Sequence, residues 1–459
     1  MSIRHEMAEF CTRMTFDALP DEIVQHAKLC LMDQISQMIA GPLTYSEDYP
    51  DIARFMKDLG GKEESTIVRL GGKIPCLNAT LVNTATGVST SFDAIHKSTI
   101  IHLPAALFPA MIAVAERQRA SGRDLLLASV IGAEIMIRVG ISLGPRNTYQ
   151  RGFYPTSVCA PFGCAVGAGK LLGLGENELA EALSMASVQA AGSSLWAGPV
   201  YPATWSFQIA RAAQSGVMAA MLAQIGFRGV DRIFEDERGF LYAYSENPES
   251  TKLTEGLGKR YEIRELTLKR FGVGIFIITS IEALIEMLSM YKITVDEIDE
   301  ITVKLPTSVM PSVGSPEYPK NRAGTYVNTR YVLAVTAYLG SQIEYNMELS
   351  SIENRKNPRV IDLFNRIKVI GDPQLDKIYP ESKPCILTIK KRDGKQFSQR
   401  NDGPFKGDPE RPLSAEDVER KFNKMTIPIL GKEKAEKILS VIKQLEALNE
   451  VSQLVELMT

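Results

Sequence analysis

The chain has 459 residues, 45% hydrophobic and 23% charged, with 52 Lys plus Arg set against 54 Asp plus Glu. That length calls for two domains, or one large domain with a second embedded in it, and the near-average composition excludes a disordered or fibrous chain. A net charge of -2 supplies no long-range field to hold nucleic acid or an anionic membrane surface.

The N-terminal stretch carries Arg4, Glu6, Glu9 and Arg13 among its apolar positions, which argues against a signal peptide. No apolar run is read as approaching the roughly 20 residues that span a bilayer; the best, Phe271 to Ile281, is too short. Cys11, Cys30, Cys76, Cys159, Cys164 and Cys385 are scattered with no CxxC pair, as suits a reduced compartment. A soluble, cytoplasmic chain without nucleic-acid or membrane partners is expected.

Residues 1 to about 265 read as helical throughout. Pro20-Asp21-Glu22 opens a helix over Glu22 to Ile39, in which Ile23, Val24, Ala27, Leu31, Ile35 and Met38 recur at three and four. Ala160 to Leu172 and Ala210 to Ile225 are Ala- and Gly-rich and almost uncharged, so they are expected to be buried and closely packed. After Leu266 short β-branched runs appear, Ile301 to Leu305 and Ile367 to Ile370. Cys385 to Lys390 and Lys395 to Gln399 flank Asp393-Gly394, a hairpin signal. Ser280 to Tyr291 and Tyr331 to Tyr338 look helical between these strands. From Lys432 onward Ile438, Ile442, Leu445, Leu448, Val451 and Leu454 form one stripe, expected to pack back on the helical body. The fold class is therefore mostly α: a large helical domain from both chain ends (1–268 and 406–459) with a smaller α+β lid domain (269–405) inserted.

Familiar motifs are absent: there is no Walker A loop, GxGxxG after a strand, HExxH or GxSxG. Gly71-Gly72-Lys73 lacks the rest of a phosphate loop and reads as a turn. His5 and His26 read as structural or solvated. One Asp and two His, Asp93, His96 and His102, fall just before a helix. The six-residue His spacing matches no common zinc pattern, so no metal is expected. Acid/base chemistry needs only convergence on one pocket. Cys159 and Cys164 read as core. Trp196 and Trp205 flank Ala197 to Pro202, a loop that could border a cleft or plug a core.

Taken together, these segments resemble the MmgE/PrpD family, which includes 2-methylcitrate dehydratase, cis-aconitate decarboxylase and iminodisuccinate epimerase. The resemblance rests on the Asp33 helix, Asn83, Asp93 to Pro104, Gly152-Phe153-Tyr154-Pro155-Thr156 and Ala212-Ala213-Gln214-Ser215-Gly216. It continues through Gly226-Phe227-Arg228-Gly229, Lys269, Tyr331, Gly407-Asp408-Pro409-Glu410-Arg411-Pro412-Leu413 and Lys421-Phe422. It implies a homodimer without cofactor, a cleft between the two domains, and a small carboxylic acid substrate from which a proton moves at the carbon beside a carboxylate. The first expectation is dehydration of a hydroxy acid; decarboxylation or epimerisation at the same site, and a non-catalytic ligand-binding paralogue, are the alternatives. Asp93, His96, His102 and Lys269 are the implied catalytic residues, with Lys269 holding a carboxylate. Tyr154, Thr156, Trp205, Gln208, Arg211 and Tyr331 are the implied substrate contacts.

Set against the family pattern, Tyr154 stands where a His is expected, Trp205 on a Lys, and Gln208 and Ile278 on two further His positions. Each lost cation removes a charge-assisted hydrogen bond worth roughly 1.5–3 kcal/mol. A substrate with fewer carboxylates than a tricarboxylic acid, and a more apolar body, is expected.

Overall fold

The computed structural model describes residues 2–195 and 203–459, residues 145–147 by their backbone alone; Trp196 and the 197–202 loop lie outside the described residues. The first half is built of long helices: α1 (Ile3–Arg13), α2 (Asp21–Asp48), α3 (Cys76–Gly87), α4 (Leu103–Gln118), α5 (Gly122–Leu143), α6 (Pro155–Leu171), α7 (Glu176–Ser187) and α8 (Thr204–Gln224). Helix α6 is buried from Pro155 to Gly169 and is flanked by α5 and α8. The small residues make this possible. A Cβ at Gly163 would lie 2.5 Å from the Gly132 carbonyl oxygen of α5, and one at Gly216 of α8 would lie 2.5 Å from the Pro161 carbonyl oxygen. Cys159 and Cys164 sit inside this layer, where burial pushes both thiols up, so they pack rather than react.

Two sequence expectations need correction. Helix α5 is 22 residues long and apolar enough to cross a bilayer, although no such stretch was expected. Its two interior charges hid the run: Glu134 and Arg138 pair at 2.5 Å and both are buried, and 94% of its apolar window is enclosed by the rest of the fold. It is a core helix. The region up to 265 is also not helical throughout. Strand β1 (Ser65–Thr66) pairs with β2 (Lys73–Ile74) across a turn in which Gly71 and Gly72 take φ +68° and +78°, and β3 (Ile95–His96) pairs with β4 (Leu266–Thr267). Gly71 and Gly72 thus lie in a turn, as expected, while Lys73 begins β2.

The smaller unit centres on a four-stranded sheet in the order β6-β5-β7-β8, with β5 (Ile298–Pro306), β6 (Ile367–Asp372), β7 (Cys385–Lys391) and β8 (Gln396–Asn401). The Asp393-Gly394 turn joins β7 to β8 in antiparallel register, and Gly394 takes φ +89° there. β5 and β6 are parallel, which requires a long crossover; helices α9 (Ile278–Met290), α10 (Thr329–Leu339) and α11 (Pro358–Asn365) cover the sheet region. The chain then returns through α12 (Ala415–Leu430), α13 (Lys432–Lys443) and α14 (Ser452–Leu457), with α12 against α2. The Val451 N–H donates to the Ala120 carbonyl at 2.9 Å and the Gly122 N–H to the Leu448 carbonyl at 2.8 Å, stitching the tail to the helical body.

The fold is mostly helical, and its buried apolar side chains gather in two main clusters. One runs from Met7 to Leu268 and resumes from Leu413 to Met458, taking in Ala323, Tyr326 and Tyr345 between; the other takes its members chiefly from Phe271 to Phe405, with Ile95 and Ile100. We keep 269–405 as the proposed extent of the inserted unit.

Candidate active site

Between α3 and α4 the chain crosses the interior in an irregular stretch, residues 91–102, bent by left-handed φ values at Ser91 (+60°) and Ile100 (+57°). Such a φ is rare for a β-branched residue, and Ile100 is held in it by packing into the second apolar cluster. This path ends at His102, which occupies the N-cap position of α4 and whose backbone N–H donates to Thr156 Oγ1 at 3.0 Å.

The His102 ring meets Asp93 directly: its Nδ1 is bonded to Asp93 Oδ2 in a short contact. Asp93 is fully enclosed, and Lys269 Nζ lies 3.9 Å from its other oxygen. Burial alone would raise this carboxyl, but the His102 ring and the Lys269 ammonium outweigh it and hold Asp93 below the usual carboxylate range. Asp93 is therefore an acceptor that fixes which nitrogen of the His102 ring carries the proton. His102 Nε2 makes no hydrogen bond among the described residues, and the ring keeps 11% exposure. Around it, the Trp205 ring stands edge-on at 5.9 Å and the Tyr154 ring at 6.1 Å, and Trp205 Nε1–H donates to Tyr154 Oη at 3.2 Å. Tyr149 continues the aromatic wall, its ring 6.2 Å from that of Tyr154.

Tyr149 and Ile100 also line a cleft of about 650 Å³ whose opposite wall is Phe276, Val309, Tyr379 and Pro380 of the smaller unit. The lining thus comes from both residues 100–194 and residues 276–380, and Tyr149 sets it one aromatic ring away from the His102 environment. A larger, more open groove of about 970 Å³, lined by Leu43, Arg322 and Lys424 among others, touches none of the predicted site residues.

Asp93, His102, Lys269, Thr156, Tyr154 and Trp205 are thus brought together. The others are not. Lys269 is 1% exposed, and its ammonium donates to the Ser91 carbonyl at 3.0 Å, so it serves Asp93 and the loop rather than standing free for a substrate carboxylate. His96 belongs to a separate buried network: its Nδ1 accepts from the Thr99 N–H at 3.3 Å, and its Nε2 is 3.6 Å from Glu262, which continues to Glu134 and Arg138. Tyr331 donates its hydroxyl to the Leu349 carbonyl at 2.9 Å inside the second cluster. Arg211 is exposed and bonds Gln214 and Ser215 on its own helix, while Gln208 Oε1 accepts from the Ser193 N–H. Spacing along the chain could not separate these two groups, because only the crossing of the interior decides which rings meet.

Sequence reasoning gave no role to Asp33, Gln37, Thr90, Lys421 or Tyr149. The signal for Lys421 was present: it falls with Val418, Phe422 and Met425 on the buried face of an amphipathic helix. Among the described residues no group of three His, Cys, Asp or Glu could hold a metal ion.

The His96 network gives a pH test. Burial pushes this imidazole below the ordinary histidine range, although Glu262 pulls the other way. The unfolded chain, with its His near about 6.5, takes up the proton first, so stability rises with pH and is lost as pH falls below that value. The melting temperature should drop between pH of about 7.5 and about 5.5, and His96→Gln should remove part of that slope. An unchanged slope in the variant would contradict a buried, neutral His96.

Comparison with known proteins settles the relationship. Residues 5–252 match the MmgE/PrpD N-terminal domain and residues 271–447 the MmgE/PrpD C-terminal domain. The chain belongs to the MmgE/PrpD family. Among similar MmgE/PrpD proteins is the Aspergillus oryzae cis-aconitate decarboxylase-like protein oryM, 24% identical over 482 residues, covering 100% of this chain and 97% of that one. The mouse cis-aconitate decarboxylase is 26% identical over 474 residues (100% and 93% covered). The human one is also 26% identical, over 456 residues (96% and 91% covered). This MmgE/PrpD member thus matches its relatives nearly end to end, while presenting Trp205 and Tyr154 beside His102.

Proposed function

We propose that this protein is a cofactor-independent lyase acting on a small carboxylic acid, in which His102 Nε2 exchanges a proton with the carbon next to the substrate carboxylate. The buried Asp93–His102 pair carries the reading. Asp93 holds the Nδ1 proton, so the neutral ring offers the Nε2 lone pair as base; after taking a proton, the imidazolium faces an ionised carboxylate and can return it. In decarboxylation the C–C bond electrons pass to the neighbouring carbon as carbon dioxide leaves, and Nε2–H protonates that carbon. The decarboxylase relatives make this the first outcome. Dehydration is the second reading, supported by Tyr154: burial pushes its hydroxyl up, so it stays protonated beside His102 and can donate to a departing hydroxide. A homodimer is part of the same reading.

The substrate on this reading has fewer carboxylates than the tricarboxylic acid named for the relatives. Trp205 and Tyr154 flank the base, and the cleft mixes apolar side chains with neutral polar ones such as Gln150, Ser194 and Ser308; its charged member among the described lining is the anion Asp376, with no cation to receive further carboxylates. Losing even two charge-assisted contacts amounts to about 100-fold in Kd or more. Calorimetry should therefore show cis-aconitate and citrate binding at best weakly; tight binding of either sinks this part. Proton NMR in heavy water, with a panel of hydroxy, unsaturated and amino mono-, di- and tricarboxylates, tests the chemistry. Deuterium entering beside a carboxylate is the expected result, and new product signals separate loss of carbon dioxide from loss of water. No exchange across the whole panel would leave a ligand-binding paralogue as the better description.

A further inference from the structure

Asp33 on α2 and Lys421 on α12 come from opposite ends of the chain, and both side chains are completely buried, Lys421 Nζ lying 2.5 Å from Asp33 Oδ1. Removing two charges from water is expensive, and a buried ion pair can be replaced by apolar groups without loss of stability. The pair's other contacts show what it touches. Lys421 Nζ donates to the carbonyl of Phe92, the residue immediately before Asp93, at 3.0 Å, and stands 5.0 Å over the Phe92 ring. A second, uncharged route runs from the same carboxylate. Gln37 Nε2 donates to Asp33 Oδ2 at 3.2 Å, Thr90 Oγ1 donates to Gln37 Oε1 at 3.1 Å, and the Phe92 N–H donates to Thr90 Oγ1 at 3.4 Å. Both polar groups of the Phe92 backbone are therefore tied to one carboxylate, by two separate paths. One residue earlier, Lys269 holds the Ser91 carbonyl.

We infer that the Asp33–Lys421 pair, with Gln37 and Thr90, is a positioning device that fixes the Phe92 peptide and thereby aims the Asp93 carboxylate at His102 Nδ1. None of the four touches a substrate; they act through Asp93. This rests on the proposed acid/base role of the Asp93–His102 pair, but one arm of its test needs no turnover. The Ser91 backbone is left-handed, and Phe92, Asp93 and Ala94 themselves lie in neither helix nor strand, between a 3-10 turn at Val88–Thr90 and β3, so no ladder bond of their own fixes them. A misplacement of about 1 Å at a reacting group can lower a rate on the order of 100-fold, which is what such a clamp prevents.

The test uses the full-length protein carrying 15N-labelled histidine, with His102→Asn to assign the His102 ring signals. The variants are Lys421→Met, the charge-neutral Asp33→Leu/Lys421→Met, and Thr90→Val, which breaks the uncharged route alone. Expected in each folded variant is a shift of the His102 Nδ1–H and ring-nitrogen resonances, with kcat for hydron exchange lowered about 10- to 100-fold and KM changed much less. His102 signals and kcat that stay at the wild-type values in folded variants overturn the proposal, whatever happens to the melting temperature. If the Lys421 variants do not fold, Thr90→Val decides in the same two readouts. Should no substrate be turned over, the NMR arm stands alone: shifted His102 resonances support the clamp, and unshifted ones refute it.

Discussion

Replacing His102 by Asn should lower hydron exchange and turnover by about 1,000-fold, within the range that one positioned acid/base group supplies, while the fold survives. The two halves of this expectation have different physical sources. Chemically, Asn cannot cycle a proton at neutral pH, and it leaves the Asp93 carboxylate with Lys269 alone. Structurally, His102 is the N-cap of α4 and makes no side-chain cap bond there, whereas Asn is among the favoured N-cap residues. The backbone N–H bond to Thr156 is kept. The melting temperature should therefore fall modestly, because the lost bond to the buried Asp93 carboxylate costs stability and the N-cap preference of Asn offsets only part of that loss. Rate by proton NMR and stability by thermal melting check both halves; retained exchange would remove His102 from the mechanism.

Lys269→Met should damage both stability and activity. Lys269 is fully buried, and burial pushes its ammonium below the ordinary lysine range although Asp93 opposes this. It persists as the counter-charge to Asp93. Removing one partner of a buried pair costs about 3–5 kcal/mol, because the other charge is left uncompensated. Asp93 would then shed its charge more readily, and the orientation of His102 would go with it, so exchange should fall about 100-fold or more. The double variant Asp93→Asn/Lys269→Met separates the two effects. With neither charge present, urea unfolding should show much of the stability restored, while exchange stays lost. If stability is not regained, Lys269 matters for its bonds to the loop, above all to the Ser91 carbonyl, more than for its charge.

Within the site, legibility depended on how local each feature is. Asp93 and His102 stood out because unusual residue types fell close together ahead of a helix start, and that stretch does deliver both to one point. His96 looked equally eligible, yet pairing of β3 with β4 carries it to Glu262. Tyr331 lies in a helix whose period is plain in sequence, and that helix hides the hydroxyl in the second cluster. Helix α5 escaped notice as a long apolar segment because Glu134 and Arg138 break its run, and only their mutual pairing makes it buriable.

By itself the sequence determined what local physics dictates. It set the 3.6-residue stripes of α2 and α13, the Gly-rich surfaces that let α6 be gripped from both sides, and the Asp-Gly turn between β7 and β8. It also set the change of texture after residue 266. These follow from short-range sterics and the periodicity of burial. Tertiary structure alone decided that β5 and β6 run parallel, and that the returning α12 packs on α2. Through that packing Lys421 reaches Asp33, 388 positions away in sequence, beside Phe92. It also decided which of several candidate polar groups meet. The reason is that a charge in the interior is stable only beside its partner, and which partner it meets depends on where distant segments dock.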